Sequence, residues 1–272
     1  MLADVRHAAP NYEPLIVGAM ARDLLLHYQH GVPVARATVD IDLAFAVADW
    51  HEFHSLRQAL LSTTSFTPGR PFQHRVHHRD GLPVDLIPFG EIERSDGSIV
   101  WPEDASVMGV LGYREARASA ATIILPGGKT LFTVSLPMLA ILKVFAWSER
   151  HLRSPRKDAS DLFLILESYL NDEQISRLYT EGAHLLEADT FNFETAGAWL
   201  VGHDAKKNLL ESSAQPERVL NTVNTILQTE VDVEGPLRLV GETGTAAEQS
   251  RLLLIAFQQG LMSEITSNRA VE

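Results

Sequence analysis

Apolar and polar residues alternate strictly over residues 38–47: Ile41, Leu43, Phe45 and Val47 fall on one side of an extended chain, and Asp40, Asp42, Ala44 and Ala46 on the other. The pattern predicts a strand with one core face and one face bearing paired carboxylates above small alanines. Upstream, residues 15–28 predict a short strand, a tight turn at Gly18-Ala19 and a helix. Trp50–Leu61 has amphipathic helical spacing through Phe53, Leu56, Leu60 and Leu61. Residues 74–89 predict a hairpin turned at Arg79-Asp80-Gly81, whose second strand sets Asp85 among Val84, Leu86 and Ile87. Residues 98–101 and 118–134 predict further strands, the latter turned at 126–129.

The period then changes to helical. Ser135 is a good N-cap for Leu136–Arg150, with Pro137 tolerated in the first turn. On that helix Lys143, Trp147 and Arg150 share a face, and Lys143 interrupts the apolar run 138–146. Arg150, Arg153, Arg156 and Lys157 make a cationic run, after which Asp158 and Asp161 stand one helical turn apart. Residues 172–187, 193–210, 216–229 and 246–264 predict four more helices, jointed at Ser213, Pro216, Gly235-Pro236 and 241–244. The whole reads as an α+β chain, with a mixed or antiparallel sheet flanked by helices over residues 1–134 and a helical domain over 135–272.

Composition narrows the class. The 272 residues are 45% hydrophobic, enough for a full core, and the balance of 23 Lys and Arg against 35 Asp and Glu gives a net charge of −12. Bulk attraction to nucleic acid is therefore excluded, and such a partner must be met locally. The absence of cysteine excludes disulfides, thiolate nucleophiles and cysteine-based zinc sites, and fits a reducing cytosol. No signal peptide and no apolar run of about 20 residues is evident, so a cytoplasmic protein without membrane spans is expected. The histidines at 51, 54, 74, 77 and 78 do not read as a zinc site, because His77 and His78 point to opposite faces of a strand.

The carboxylates carry the chemistry. Two unpaired carboxylates about 4 Å apart repel by roughly 4 kcal/mol at an effective dielectric of about 20. Protonation, an Arg or Lys partner, or a hard divalent cation relieves that repulsion, and Mg²⁺ characteristically takes one or two carboxylates plus substrate phosphates. Asp85 needs a partner for the same reason, being a charge among apolar neighbours. A strand, glycine turn and helix start at Gly18-Ala19 offer free backbone N–H groups suited to phosphate.

The ordered series Gly18, Asp40-x-Asp42, Asp85, Lys143 and Lys157-Asp158-x-x-Asp161-Leu162 resembles the nucleotidyltransferase superfamily of the DNA polymerase beta type, and within it the AbiEii/AbiGii toxin family, over roughly residues 15–166. The resemblance implies a nucleotidyltransferase-type sheet, with Asp40, Asp42 and Asp85 as metal ligands for two Mg²⁺ ions, or Mn²⁺, and Asp85 as activator of the attacking hydroxyl. It further implies that Gly18, Ala19 and Arg22 contact the triphosphate. Lys143 and Asp158 would be catalytic, Arg150, Lys157 and Asp161 would serve nucleotide binding, and residues 135–169 would complete the active site. The implied reaction moves an NMP from an NTP to a hydroxyl acceptor such as the end of a tRNA or other RNA, in a toxin with an antitoxin partner. Gly18-Ala19 departs from the superfamily's Gly-Ser and the toxin family's Gly-Gly, so no hydroxyl is offered there. Alternatives that keep the fold are a catalytically silent nucleotide-binding regulator and a small-molecule nucleotidyltransferase of the aminoglycoside-modifying sort.

Overall fold

The computed structural model describes residues 1–33, 39–124, 128, 130–153, 156–187, 191–231 and 245–265. The chain divides into two compact units, Met1–Ser135 and Leu136–Glu272.

In the first unit, α1 (Leu2–Ala8) precedes β1 (Leu15–Val17), α2 (Gly18–His30), β2 (Ile41–Ala46), α3 (Trp50–Leu61), β3 (Phe66–Pro68), β4 (Arg75–His78) and β5 (Pro83–Phe89). A separate ribbon of β6 (Ser98–Val100) and β7 (Val107–Gly109) follows, then α4 (Tyr113–Ala118), β8 (Ala121–Ile124) and β9 (Thr130–Thr133). Seven strands form one mixed sheet in the order β3-β4-β5-β2-β1-β9-β8. Strand β2 lies between β1, which it pairs antiparallel, and β5, which it pairs parallel.

The alternation of β2 is honoured: Ile41, Leu43, Phe45 and Val47 are buried. Ala46 is exposed but Ala44 is fully buried, so the carboxylate face is open only towards its ends and not along its length. The strand begins at Ile41, where pairing with Val84 begins, and Asp40 sits in the bend before it; Thr38 lies outside the described residues. The hairpin and the helix Trp50–Leu61 stand where the pattern predicts them, and Asp49 caps α3 by accepting from the Glu52 N–H. The turn expected at 126–129 lies mostly outside the described residues. Elements α1, β3, β7 and α4 were not predicted; they span 7, 3, 3 and 6 residues, too short to show a period.

The second unit is helical throughout, with α5 (Leu136–Arg150), α6 (Lys157–Ser168), α7 (Asp172–Leu178), α8 (Ala183–Leu186), α9 (Phe193–Ser212), α10 (Pro216–Val231) and α11 (Thr245–Met262). The single helix expected over 172–187 is two, because Thr180, Glu181 and Gly182 form a turn between α7 and α8. The joints expected at 235–236 and 241–244 lie outside the described residues. Helices α9 and α11 touch backbone to backbone: a Cβ on Gly202 would stand 2.1 Å from the Phe257 carbonyl oxygen, and one on Gly260 2.0 Å from that of Trp199. A polar network joins the same unit, with Arg177 donating to Glu181 and Asp204, and the Tyr169 hydroxyl donating to Asp204 at 2.6 Å.

Candidate active site

The parallel ladder between β2 and β5 sets Asp42 opposite Asp85, so both carboxylates leave the same face of neighbouring strands. The antiparallel ladder between β5 and β4 sets Arg75 opposite Asp85 on that face too. Arg75 closes a bidentate pair on Asp85, its Nε donating to Oδ1 at 2.6 Å and its Nη2 to Oδ2 at 2.7 Å. The same Nη2 lies 3.7 Å from Asp40 Oδ2. Hydrogen bonding to Asp85, with the added charges of Asp40 and Asp42, raises the Arg75 pKa further above its ordinary value. Of the ways to relieve carboxylate repulsion, an arginine partner is the one the structure shows. Arg75 is not among the site residues expected from sequence, yet the signal is in the hairpin: positions five before and five after Asp80 face each other, and these are Arg75 and Asp85.

Gly18 adjoins the third carboxylate. It opens α2 at φ +66, a left-handed conformation in which glycine is favoured, and a Cβ there would stand 2.0 Å from Asp42 Oδ2. Val17, at the N-cap, makes no side-chain hydrogen bond to this helix start. Backbone N–H groups and the positive end of the helix dipole therefore meet the carboxylate face directly beside Asp42. Arg22, on the next turn, is buried and donates to Asp23, and Ala19 is half-buried.

Among the described residues, no group of three or more His, Asp or Glu side chains is arranged to hold a metal ion, and Arg75 stands among Asp40, Asp42 and Asp85. Asp40, Asp42 and Asp85 surround one guanidinium, and oxygen donors of this kind are the ones a hard divalent cation takes.

The second unit holds its own charged cluster. Lys143 on α5 is buried, and its Nζ donates to Asp161 Oδ2 at 2.5 Å and to Asp158 Oδ1 at 3.3 Å on α6. Arg150 binds the fully buried Asp158 from the other side, Nε to Oδ2 at 2.6 Å and Nη2 to Oδ1 at 2.7 Å. Burial pushes the Asp158 carboxyl up, but the hydrogen bonds from Arg150 and the charge of Lys143 outweigh it and hold the group below the usual carboxylate range. The face shared by Lys143 and Arg150 thus meets the two aspartates one turn apart, and Arg150 directs its charge inward. Lys157 is exposed at the start of α6.

A glycine turn feeding a helix, beside aspartates that face each other on neighbouring strands of a mixed sheet, is the arrangement of a nucleotidyltransferase. The family model described as "Nucleotidyl transferase AbiEii toxin, Type IV TA system" matches residues 15–199, and the chain belongs to that family. The family is one of nucleotidyltransferase enzymes that act as toxins of type IV toxin–antitoxin systems. No curated protein matches the chain. No helix among the described residues is long and apolar enough to cross a membrane.

Proposed function

We propose that this chain transfers an NMP from an NTP to a hydroxyl at the end of an RNA, in a reaction that depends on Mg²⁺ or Mn²⁺ held by Asp40, Asp42 and Asp85. The observation that carries the reading is the register of Asp42 against Asp85, with Gly18 pressed to Asp42 on one side and Arg75 clamped to Asp85 on the other. When bound, the divalent cation supplies charge stabilisation to the entering and departing oxygens of the displacement.

The chain's own residues do the rest. The N–H groups at the start of α2 receive the triphosphate, and Gly18, which carries no Cβ, lets the Asp42 carboxylate lie against that helix start. Asp85 lies on the acceptor side and takes the proton of the attacking hydroxyl, directly or through water. Arg75 holds both oxygens of that carboxylate, so the guanidinium gives way at Asp85 when the cation and the acceptor bind. An antitoxin protein is the expected partner by family.

Incubation with each labelled NTP, Mg²⁺ and total RNA tests the reading. Label should become attached to RNA with release of pyrophosphate, and chelation of divalent ions should abolish the transfer. Transfer that persists in chelator, or label that stays on a small-molecule acceptor alone, would reject it.

A further inference from the structure

Beside Asp85 a series of rings leads away from the carboxylates. The His74 Nε2 lies 4.0 Å from Asp85 Oδ1, and its ring centroid is 5.6 Å from that of Phe72 and 5.5 Å from that of Trp101. Trp101 continues to Trp50 at 5.1 Å. The inner rings are packed: Trp101 is buried, and Trp50 and Phe53 meet edge to face. The outer pair is not. Phe72 is 52% exposed and the His74 side chain 36% exposed, so two rings beside a charged site are left open to water.

The loop that carries these rings is pinned. The Gly69 N–H donates to the Arg75 carbonyl at 2.9 Å, the Phe72 N–H to Gly69 at 3.0 Å, and Arg57 Nε to the Gln73 carbonyl at 2.7 Å. A Cβ on Gly69 would stand 2.8 Å from the Arg75 carbonyl oxygen, so the loop closes directly on the residue that clamps Asp85. The Arg75 guanidinium also lies over the Phe72 ring, 5.7 Å from its centroid. Phe72 is therefore a positioned ring and not a stray apolar residue on a surface.

We infer that Phe72 and His74 form a stacking platform for the terminal base of the RNA acceptor, a reading that rests on the nucleotidyl transfer proposed above. Rings held in place beside a reactive carboxylate suit an unpaired base, because every base has a face that stacks. The sheet order decides between the acceptor's base and the base of the NTP. Across β4-β5-β2-β1 the glycine turn follows β1, and the rings belong to the β4 end, with Asp85 and Asp42 between them. Triphosphate at Gly18 and acceptor at Phe72 then approach the carboxylates from opposite sides, as an in-line displacement requires. The net charge of −12 adds a second reason: phosphate attraction is weak for this chain, so contacts to the base must carry more of the affinity.

Three measurements on the full chain test this: binding of a fluorescent single-stranded RNA with a free 3′ hydroxyl, binding of a fluorescent NTP analogue, and transfer of labelled NMP. Phe72→Ala should weaken RNA binding about tenfold, Phe72→Tyr should restore it, and NTP binding should stay as in the wild type. RNA affinity should fall only shallowly between low and moderate salt. Phe72→Ala and His74→Ala variants that both bind RNA like the wild type overturn the platform, as does a loss confined to NTP binding. Those results leave the transfer reading standing, which falls instead if Asp42→Ala transfers NMP at the wild-type rate.

Discussion

Asp42 and Asp85 face each other across the parallel pair β2 and β5, one residue set against the Cα of Gly18 and the other held by both nitrogens of the Arg75 fork. Two carboxylates in register on adjacent strands stabilise nothing by themselves; they repel, and a fold that keeps them offsets that repulsion elsewhere. Asp42→Ala is therefore expected to leave the melting temperature unchanged or raise it, while NMP transfer falls by a hundredfold or more, the order of loss for several kcal/mol of transition-state stabilisation. Thermal melting and a transfer assay on the same purified variant read the two effects separately. A variant that melts lower and transfers normally would assign Asp42 to structure.

Gly18 answers two demands at once, a positive φ and the absence of a Cβ where the Asp42 carboxylate lies. Alanine meets neither. The left-handed conformation costs about 1–2 kcal/mol for a residue with a Cβ, and the displaced Asp42 adds strain. Gly18→Ala should lower stability by about 2 kcal/mol or more in denaturant unfolding and should weaken NTP binding together with transfer. Unchanged NTP affinity in a folded Gly18→Ala protein would remove the helix start from the phosphate site.

Arg75 pairs with Asp85 and lies 3.7 Å from Asp40, so a divalent ion held as proposed would compete with it for those carboxylates. Arg75→Gln should melt lower than the wild type in chelator, because the three carboxylates lose their cation. Titration with Mg²⁺ should then raise its melting temperature more steeply than that of the wild type, since a ligand that binds only the folded state stabilises it in proportion to its affinity. Identical Mg²⁺ response curves would show that the guanidinium and the metal do not share ligands.

Much of this was legible along the chain because it is local. Period two placed Asp42 on the polar face of its strand, where Asp85 stands opposite it, and Asp-Gly fixed the hairpin that carries Asp85. Helical spacing put Lys143 and Arg150 on the face that meets Asp158. What stayed hidden is what depends on pairing between distant segments. Nothing near Asp42 in sequence says that Gly18 lies against it, since only the antiparallel pairing of Val17 with Asp42 brings them together. The rings at Phe72, His74, Trp101 and Trp50 come from three separate segments, and no period links them. Short elements such as β3 and α4 escape for the opposite reason, being too brief to display a pattern that packing then imposes.

The pairing of Arg150 with Asp158 makes a pH dependence that can be given its sign. Burial alone would raise the Asp158 carboxyl, and the Arg150 hydrogen bonds with the Lys143 charge reverse that, leaving the folded-state pKa below the unfolded one. A depressed carboxyl contributes stability that is fully present above the unfolded pKa of about 4 and is lost as pH falls through the lower folded value. In Arg150→Ala the main source of the depression is gone while Asp158 remains buried beside Lys143 and Asp161. The variant should melt lower at pH 7, and its acid loss of stability should set in at a higher pH than in the wild type. Melting temperatures followed from pH 7 down to pH 2 check this, and superimposable acid limbs would show that Arg150 does not set the Asp158 titration. Lys143→Met is the companion case: it removes the buried ammonium that binds both Asp158 and Asp161, and breaking a buried pair in this way costs on the order of 3–5 kcal/mol. Its melting temperature should therefore fall well below that of Arg150→Ala at pH 7.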